Sequence, residues 1–132
     1  MIRPITADDV PWVISLGSRR YSGEYDPGGG LVALAQAMRL STALAIRSDH
    51  GFLVANILQS VWAPKKRECH VLAICCEEAH PWDAVKLLRA SVEWAREQKC
   101  LRWLVSSETE HSITRLAWRV GAHAMPFYGI EL

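Results

Sequence analysis

One stretch of the chain, residues 71–98, constrains the fold more than any other. It reads VLAICCEEAHPWDAVKLLRASVEWAREQ: an apolar segment, a short acidic loop and a long amphipathic segment. The apolar segment has the composition of a buried strand, and Pro81 suits the first turn of a helix. From Pro81 to Gln98, polar and apolar residues fall on two separate faces at helical spacing. A second apolar strand follows at Leu101–Val105, so we predict a right-handed βαβ unit whose two strands are parallel.

The remainder of the chain predicts a meander of antiparallel strands and further helices. The segment Tyr21–Gly30 is predicted to be a loop, because its Asp-Pro-Gly-Gly-Gly run is unfavourable in both helices and strands. Short turns separate three consecutive strand patterns, which is typical of an antiparallel meander. We therefore expect an α/β (α+β) fold: one domain with a mixed sheet, in which the antiparallel meander precedes the parallel βαβ crossover. The predicted strands are Ile2–Ile5, Thr42–Arg47, Phe52–Trp62 and Glu68–Cys76, with helices at about Thr6–Gly17, Leu31–Leu40 and 110–120, and one or two strands within Ala122–Leu132.

Length and charge exclude several classes of function. A chain of 132 residues is long enough for one hydrophobic core, and its net charge of +1 gives no basic surface for nucleic acid. The one basic run, Lys65-Lys66-Arg67, fits a solvated hairpin turn. No apolar run is long enough to span a membrane, and the opening MIRPITADD lacks the apolar core of a signal peptide. We therefore expect a cytoplasmic protein that binds neither nucleic acid nor membrane.

The four cysteines stand at positions 69, 75, 76 and 100. They do not form a disulfide framework, and we expect reduced, buried thiols. Together with His70 and His80 they raise the question of a zinc site, which requires converging tetrahedral ligands. The sequence has no C-x-x-C pair, and alternation along a strand sends Cys75 and Cys76 to opposite faces. No metal site is therefore predicted.

The order of these elements, together with several sequence segments, resembles the GNAT superfamily of N-acetyltransferases. The opening MIRPITADDVPWVISL resembles the family's first strand and helix, and EWAREQ resembles the end of its long helix. RLAWRVGAHA is similar to the late helix, which typically ends in lysine, one further residue, glycine and an aromatic residue. The resemblance extends over nearly the whole chain in element order. It implies an enzyme that transfers an acetyl group from acetyl-CoA to an amine substrate.

The resemblance also implies where acetyl-CoA binds. In such proteins the two parallel strands separate, pantetheine occupies the gap, and the pyrophosphate accepts hydrogen bonds from backbone N–H groups of a loop before the helix. In this chain that junction joins strand 68–76 to helix 81–98. The residues placed against the cofactor are Cys75, Cys76, Trp82, Asp83 and Ala84.

The loop of this chain departs from the family signature, Arg/Gln-x-x-Gly-x-Gly/Ala. Ala79, Trp82 and Ala84 fall on the three signature positions, and only Ala84 fits. Pro81 removes one N–H donor. Three acidic residues also flank the site: Glu77, Glu78 and Asp83. At ~6 Å and an effective dielectric constant of ~20, each would repel a unit phosphate charge by ~3 kcal/mol before solvent screening.

Three residues within strand 68–76 or directly after it are candidate general bases. Glu77 and Glu78 close the strand, and a carboxylate can deprotonate an amine directly or through a water. His70 lies within the strand, and an imidazole can do the same near neutral pH. Alternation predicts that His70 shares a face with Leu72, Ile74 and Cys76.

The general acid is harder to assign. In many proteins of this family a tyrosine, four residues before the glycine that ends the late helix, protonates the leaving thiolate. Counting back from Gly121 places Ala117 at that position, and alanine has no proton to donate. Tyr128 could act instead if the last strand returns to the cleft.

Two functions stay open at this point. The first is an N-acetyltransferase with an atypical cofactor loop. The second is a catalytically inactive GNAT-fold module that binds a protein partner or a second copy of the chain. Short chains of this kind resemble accessory or virion proteins of tailed bacteriophages, which would place the protein in a virion. In the second function, Trp82 would fill the gap between the strands, and exposed tryptophan such as Trp62 would contact the partner.

Overall fold

A five-stranded mixed sheet is the centre of the fold. The computed structural model describes residues 1–20, 27–59, 65–105, 113–123 and 130. The elements are β1 (Arg3–Pro4), a 3₁₀ turn (Ala7–Asp9), α1 (Val10–Arg20), α2 (Pro27–Arg39), β2 (Ala43–Arg47), β3 (Gly51–Gln59), β4 (Arg67–Cys76), α3 (Trp82–Glu97), β5 (Arg102–Val105) and α4 (Ile113–Arg119). The strands follow one another across the sheet in chain order, β1 to β4 antiparallel and β5 parallel to β4. The predicted mixed sheet, with a meander before a parallel crossover, is confirmed.

The helix α3 covers one face of the sheet. Leu87 and Leu88, on the apolar face of this helix, are 0% exposed and belong to the same buried cluster as Leu53 and Ile74 of the sheet. Burying one leucine side chain contributes about 2 kcal/mol. This contact fixes α3 along the β3–β4–β5 side of the sheet, so the start of the helix lies beyond the end of β4.

The helices α1 and α2 lie against the opposite face. Residues from both helices form a second cluster with the sheet: Ile5, Val13, Leu16, Leu34, Phe52 and Cys75. The prediction of a loop through Gly30 was wrong, because α2 begins at Pro27 and includes the three glycines that follow it. Proline is tolerated in the first turn, where its missing N–H needs no partner. Burial of Leu34 against the sheet offsets the low helix propensity of glycine.

Several predictions lie outside the described residues. They include most of the strand segment 122–132 and the carboxyl end of the predicted strand 52–62, with Trp62. Within the described ranges, no helix is long and apolar enough to cross a membrane.

Candidate active site at the junction of β4 and β5

The described residues of β5 pair with the first half of β4. Their register begins with Glu68 opposite Arg102 and ends with Val71 opposite Val105, where the described part of β5 stops. β4 continues to Cys76. The last residues of β4 therefore extend past the described end of β5, towards the start of α3.

A β-bulge lies in β4 at Leu72, directly after the last described pair with β5. Ala73 pairs with Val54 of β3, and Val71 pairs with Ala55, so Leu72 has no partner on that strand. A bulge interrupts the ladder of hydrogen bonds and redirects the side chains that follow it. The break in the antiparallel pairing therefore lies one residue beyond the last described pair between β4 and β5.

The bulge overturns the prediction that His70 shares a face with Ile74 and Cys76. The extra residue reverses the alternation, so Ile74 and Cys76 pack on the α3 side together with Cys69. His70, which follows Cys69, points to the opposite face with its cross-strand partner Asn56. Because the bulge shifts the side-chain alternation along β4, the His70 imidazole and the Asn56 amide lie side by side on the α1–α2 face.

His70 and Asn56 each carry an unpaired polar atom. The Nε2 atom of His70 and the Oδ1 atom of Asn56 are buried and have no hydrogen-bond partner among the described residues. The Oε1 atom of Glu68 is 3.7 Å from Nε2 of His70, too far for a hydrogen bond. Because buried polar atoms are normally paired, these two are placed to accept a partner from a ligand.

An apolar groove opens on this same face. It has a volume of about 350 Å³ and lies between α1, α2 and the sheet. Asn56 and the bulge residue Leu72 are part of its lining, and most of the remaining lining is aliphatic. Apolar concave surfaces with a few polar groups are typical of small-molecule sites.

The loop from β4 to α3 is hydrogen-bonded to the turn between β2 and β3. The carboxylate of Asp83 accepts hydrogen bonds from the Ser48 hydroxyl at 2.6 Å and from the His50 N–H at 3.0 Å. Burial disfavours the ionised form of Asp83, but these hydrogen bonds and the charges of Lys86 and His50 outweigh it and lower the pKa of Asp83. Asp83 is therefore an internal anchor of the loop, satisfied by the turn.

The first N–H groups of α3 are already partly engaged. Asp83 N–H donates to the His80 carbonyl and Ala84 N–H to the Pro81 carbonyl, both at 3.2 Å. These distances lie at the long end of the normal range. A phosphate at this helix start would have to compete with both local bonds.

Trp82 does not fill the gap between β4 and β5. Its side chain is 59% exposed. Arg119, at the end of α4, lies over its ring, with 4.7 Å between the guanidinium carbon and the ring centroid. Such contacts contribute about 0.5–1 kcal/mol at exposed sites. The contact holds a cation beside the start of α3. The sequence does not predict this contact, because Trp82 and Arg119 lie on different helices.

Comparisons with known proteins give a fold and no close relative. No protein-family model and no curated protein matches the sequence. Among solved structures, an aminoglycoside 6′-N-acetyltransferase from Acinetobacter haemolyticus is 16% identical, with a TM-score of 0.74 and alignment of 100% of this chain to 99% of that one. The ribosomal-protein-alanine N-acetyltransferase from Brucella melitensis is 16% identical, with a TM-score of 0.75 over 100% and 99% of the two chains. A transcriptional regulator from Bacillus halodurans is 14% identical, with a TM-score of 0.81 over 100% and 97%.

This chain has the GNAT fold. The likeness extends over the whole length of the chain and of its structural neighbours. At such low identities it establishes the architecture alone, and the chemistry must be argued from the site.

The residues predicted for the site take separate positions in this GNAT fold. Cys75 is buried on the α1–α2 side, whereas Cys76 packs on the α3 side. Glu77 is half-buried, with its Oε2 atom 2.9 Å from Nδ1 of His50, and Glu78 is exposed. Tyr128 lies outside the described residues. Only His70 of the candidate bases reaches the face that carries the apolar groove.

Proposed function

We propose that this protein is an N-acetyltransferase of the GNAT type, which transfers an acetyl group from acetyl-CoA to an amine. The observation that carries the proposal is the β-bulge at Leu72, where β4 continues past the described end of β5. The bulge residue Leu72 lines the apolar groove. A structural neighbour, AAC(6')-Iy, is described in complex with a bisubstrate analogue that contains CoA. It is 15% identical with a TM-score of 0.75 over 100% of this chain and 98% of that one, which supports a CoA site in this architecture.

The cofactor would lie along the end of β4 and the start of α3. Pantetheine would occupy the gap beside Cys75 and Cys76, and the pyrophosphate would reach the helix start at Trp82–Ala84. Arg119 supplies the positive charge that the loop lacks, and Trp82 holds its guanidinium in place. Asp83 stays ionised, because the hydrogen bonds from the Ser48 hydroxyl and the His50 N–H favour the charged carboxylate, so Arg119 would also have to offset this negative charge.

The acceptor amine would bind in the apolar groove, with its nitrogen at the Asn56 end of the lining, where His70 is the cross-strand partner of Asn56. Asn56 Oδ1 would accept one N–H of the amine, and His70 would accept the proton that the nitrogen loses on attack. Acetyl-CoA supplies a thioester whose carbonyl carbon bonds to the amine nitrogen as the carbon–sulfur bond breaks. The amine loses one proton to His70, and the leaving CoA thiolate gains one. Tyr128 stays a prediction as the residue that protonates this thiolate. The aliphatic lining favours an amine with an apolar body.

A second candidate is a module that has lost catalysis and binds a protein partner. The exposure of Trp82, 59%, counts against the filled gap expected of such a module. Two observations still favour it: the engaged N–H groups at the start of α3, and the 66% exposure of Trp118, which precedes Arg119 in the sequence. Exposed tryptophan is enriched at interfaces.

Calorimetric titration with acetyl-CoA and with free CoA separates the two candidates. We expect saturable binding at micromolar strength, weakened about tenfold or more by Arg119→Ala because a charge-assisted phosphate contact is lost. Arg115→Ala, an exposed arginine on the same helix, should bind like the parent. Absence of heat at millimolar cofactor would overturn the acetyl-CoA proposal. The search would then turn to a protein that binds the surface around Trp82 and Trp118.

The role of His70 is tested by steady-state kinetics over a panel of amines, with release of the CoA thiol as the readout. His70→Gln should lower kcat by about 100-fold while CoA affinity is unchanged, because the base acts only on the amine. His123→Gln changes an exposed histidine after α4 and should leave kcat as it is. Full activity in His70→Gln would rule out this base and return attention to Glu77 and Glu78.

A further inference from the structure

Two histidines and a glutamate cluster beside the start of α3, and no step of the proposed acetyl transfer uses them as a group. One ligand atom from each of His50, Glu77 and His80 lies within 4.8 Å of the others. The closest pair is His50 Nδ1 and Glu77 Oε2, at 2.9 Å. The two imidazole rings are parallel, with 3.4 Å between their centroids and 6° between their planes.

The backbone brings these three side chains together. Glu77 N–H donates a 2.8 Å hydrogen bond to the His50 carbonyl, which continues the β3–β4 pairing one residue beyond Gly51 and Cys76. His50 and Glu77 are thus cross-strand neighbours. His80 N–H then donates a 2.9 Å bond to the Glu77 carbonyl, so a tight turn returns the third side chain to the other two.

Both backbone polar groups of His50 are hydrogen-bonded. Its carbonyl is held by Glu77, and its N–H donates to the buried carboxylate of Asp83 at 3.0 Å. A ligand set with a fixed backbone loses less conformational freedom when it binds an ion. The cluster is therefore preorganised at main-chain level, and only side-chain rotation is left to complete it.

We propose that His50, Glu77 and His80 bind one divalent transition-metal ion of the zinc class. Two imidazoles and one carboxylate are a usual set of three protein ligands for zinc with a fourth, open position. Imidazole nitrogen favours zinc, nickel or copper over magnesium or calcium, which prefer oxygen. Bond lengths of 2.0–2.1 Å in a tetrahedral site imply about 3.3 Å between ligand atoms. The cluster needs small movements to reach that spacing.

The stacked rings define the movement that binding requires. Lone pairs of two parallel imidazoles do not converge on one point, so at least one ring must rotate out of the stack to aim a nitrogen at the ion. Glu77 already lies at the edge of the stack. The cysteine-based zinc hypothesis missed this set because His50 comes from the β2–β3 turn, remote in sequence from the loop that carries the other two ligands.

The proposal is tested by titrating the reduced, untagged protein with Zn²⁺ alone, so it does not depend on acetyl-CoA. We expect one ion per chain at micromolar Kd or tighter, and an increase in Tm with the ion. His50→Gln, Glu77→Gln and His80→Gln should each weaken binding by at least about tenfold. His123→Gln should not change it.

Cobalt distinguishes this site from the cysteines. Co²⁺ bound by thiolate gives an intense sulfur-to-metal absorption band in the near ultraviolet, whereas imidazole and carboxylate ligands do not. We expect visible d–d bands without the sulfur band. A sulfur band, no binding at micromolar ion, or unchanged affinity in all three variants that keep the fold by circular dichroism would overturn the proposal and leave the His50–Glu77 pair as a structural contact.

Discussion

The carboxylate of Asp83, in the first turn of α3, accepts a 2.6 Å hydrogen bond from the hydroxyl of Ser48, in the turn between β2 and β3. Asp83 is 8% exposed and Ser48 is 3% exposed. Hydrogen bonds to a charged group contribute more than neutral ones, and a buried donor that loses its partner is costly. This contact therefore connects the helix start to a turn that is remote in sequence.

Replacing Asp83 should destabilise the protein. Asp83→Ala leaves the Ser48 hydroxyl and the His50 N–H without their acceptor, and we expect the free energy of unfolding to fall by about 3 kcal/mol. A double-mutant cycle with Ser48→Ala, measured by urea denaturation, should give a coupling energy of about 1–2 kcal/mol. The exposed neighbour Asp49 is the control, and Asp49→Ala should cost less than about 0.5 kcal/mol. Additive effects of Asp83→Ala and Ser48→Ala would contradict the contact.

Asp9 predicts a dependence of stability on acid pH. The Arg3 guanidinium donates to both carboxylate oxygens at 2.7 and 2.8 Å, and this contact, with help from Thr6 and Arg47, holds the pKa of Asp9 well below its usual range despite burial. Because the folded-state pKa is lower than the unfolded one, the stabilisation is complete above about pH 5 and is lost as pH falls below about 4.

Asp9→Asn tests that dependence. At neutral pH it should lower the free energy of unfolding by about 2–3 kcal/mol, because two arginines lose a buried partner. The difference from the parent should shrink in denaturation series taken at successively lower pH. Asp8→Asn, an exposed change in the same 3₁₀ turn, should give a small difference at every pH. A difference for Asp9→Asn that is constant down to pH 2 would refute the assignment.

Gly51 should not accept a larger side chain. A Cβ at this position would lie 2.5 Å from the Cys76 sulfur and 2.8 Å from the Cys75 carbonyl oxygen. The second atom is backbone, so the β3–β4 pair must move, and we expect Gly51→Ala to cost about 1–3 kcal/mol by thermal denaturation. Gly121 offers a contrast, since its φ is +89° and nothing lies within 4 Å of an added Cβ. Asparagine tolerates that conformation, so Gly121→Asn should be milder than Gly51→Ala.

Cys69 should be chemically inert in the folded protein. Burial, with a smaller effect of the Cys100 thiol, raises the pKa of Cys69 to about 12. Thiolate is the reactive form, and almost none is present at pH 8. Peptide mapping after alkylation with iodoacetamide should find the half-buried Cys100 modified before Cys69. Cys69 itself should be modified only when denaturant is added. Alkylation of both at the same rate in native protein would show that the β4 core opens readily.

The mixed sheet was predictable because its signals are local. Pro81 and the helical spacing of apolar residues after it specify α3, and short turns specify the meander. The start of α2 was missed because Pro27 and the glycines after it have poor helix propensity, which tertiary packing of Leu34 overrides.

The site was less predictable because it depends on pairing between distant residues. The bulge at Leu72 is defined by which residues of β3 lie opposite, and no residue type signals it. Without the bulge, His70 is assigned to the wrong face. Arg119 over Trp82, and His50 against Glu77 across 27 positions, are likewise contacts that only the folded chain creates.

We expect that residues 77–84 of this chain cannot be replaced by a foreign loop without the turn that they contact. Asp83 and Glu77 are hydrogen-bonded to Ser48 and His50, so a chimera that imports residues 77–84 alone loses the partners of the recipient's turn. A recombinant needs the turn and the loop from the same parent. The same contact predicts that substitutions at positions 48 and 83 of this chain are tolerated best as a pair.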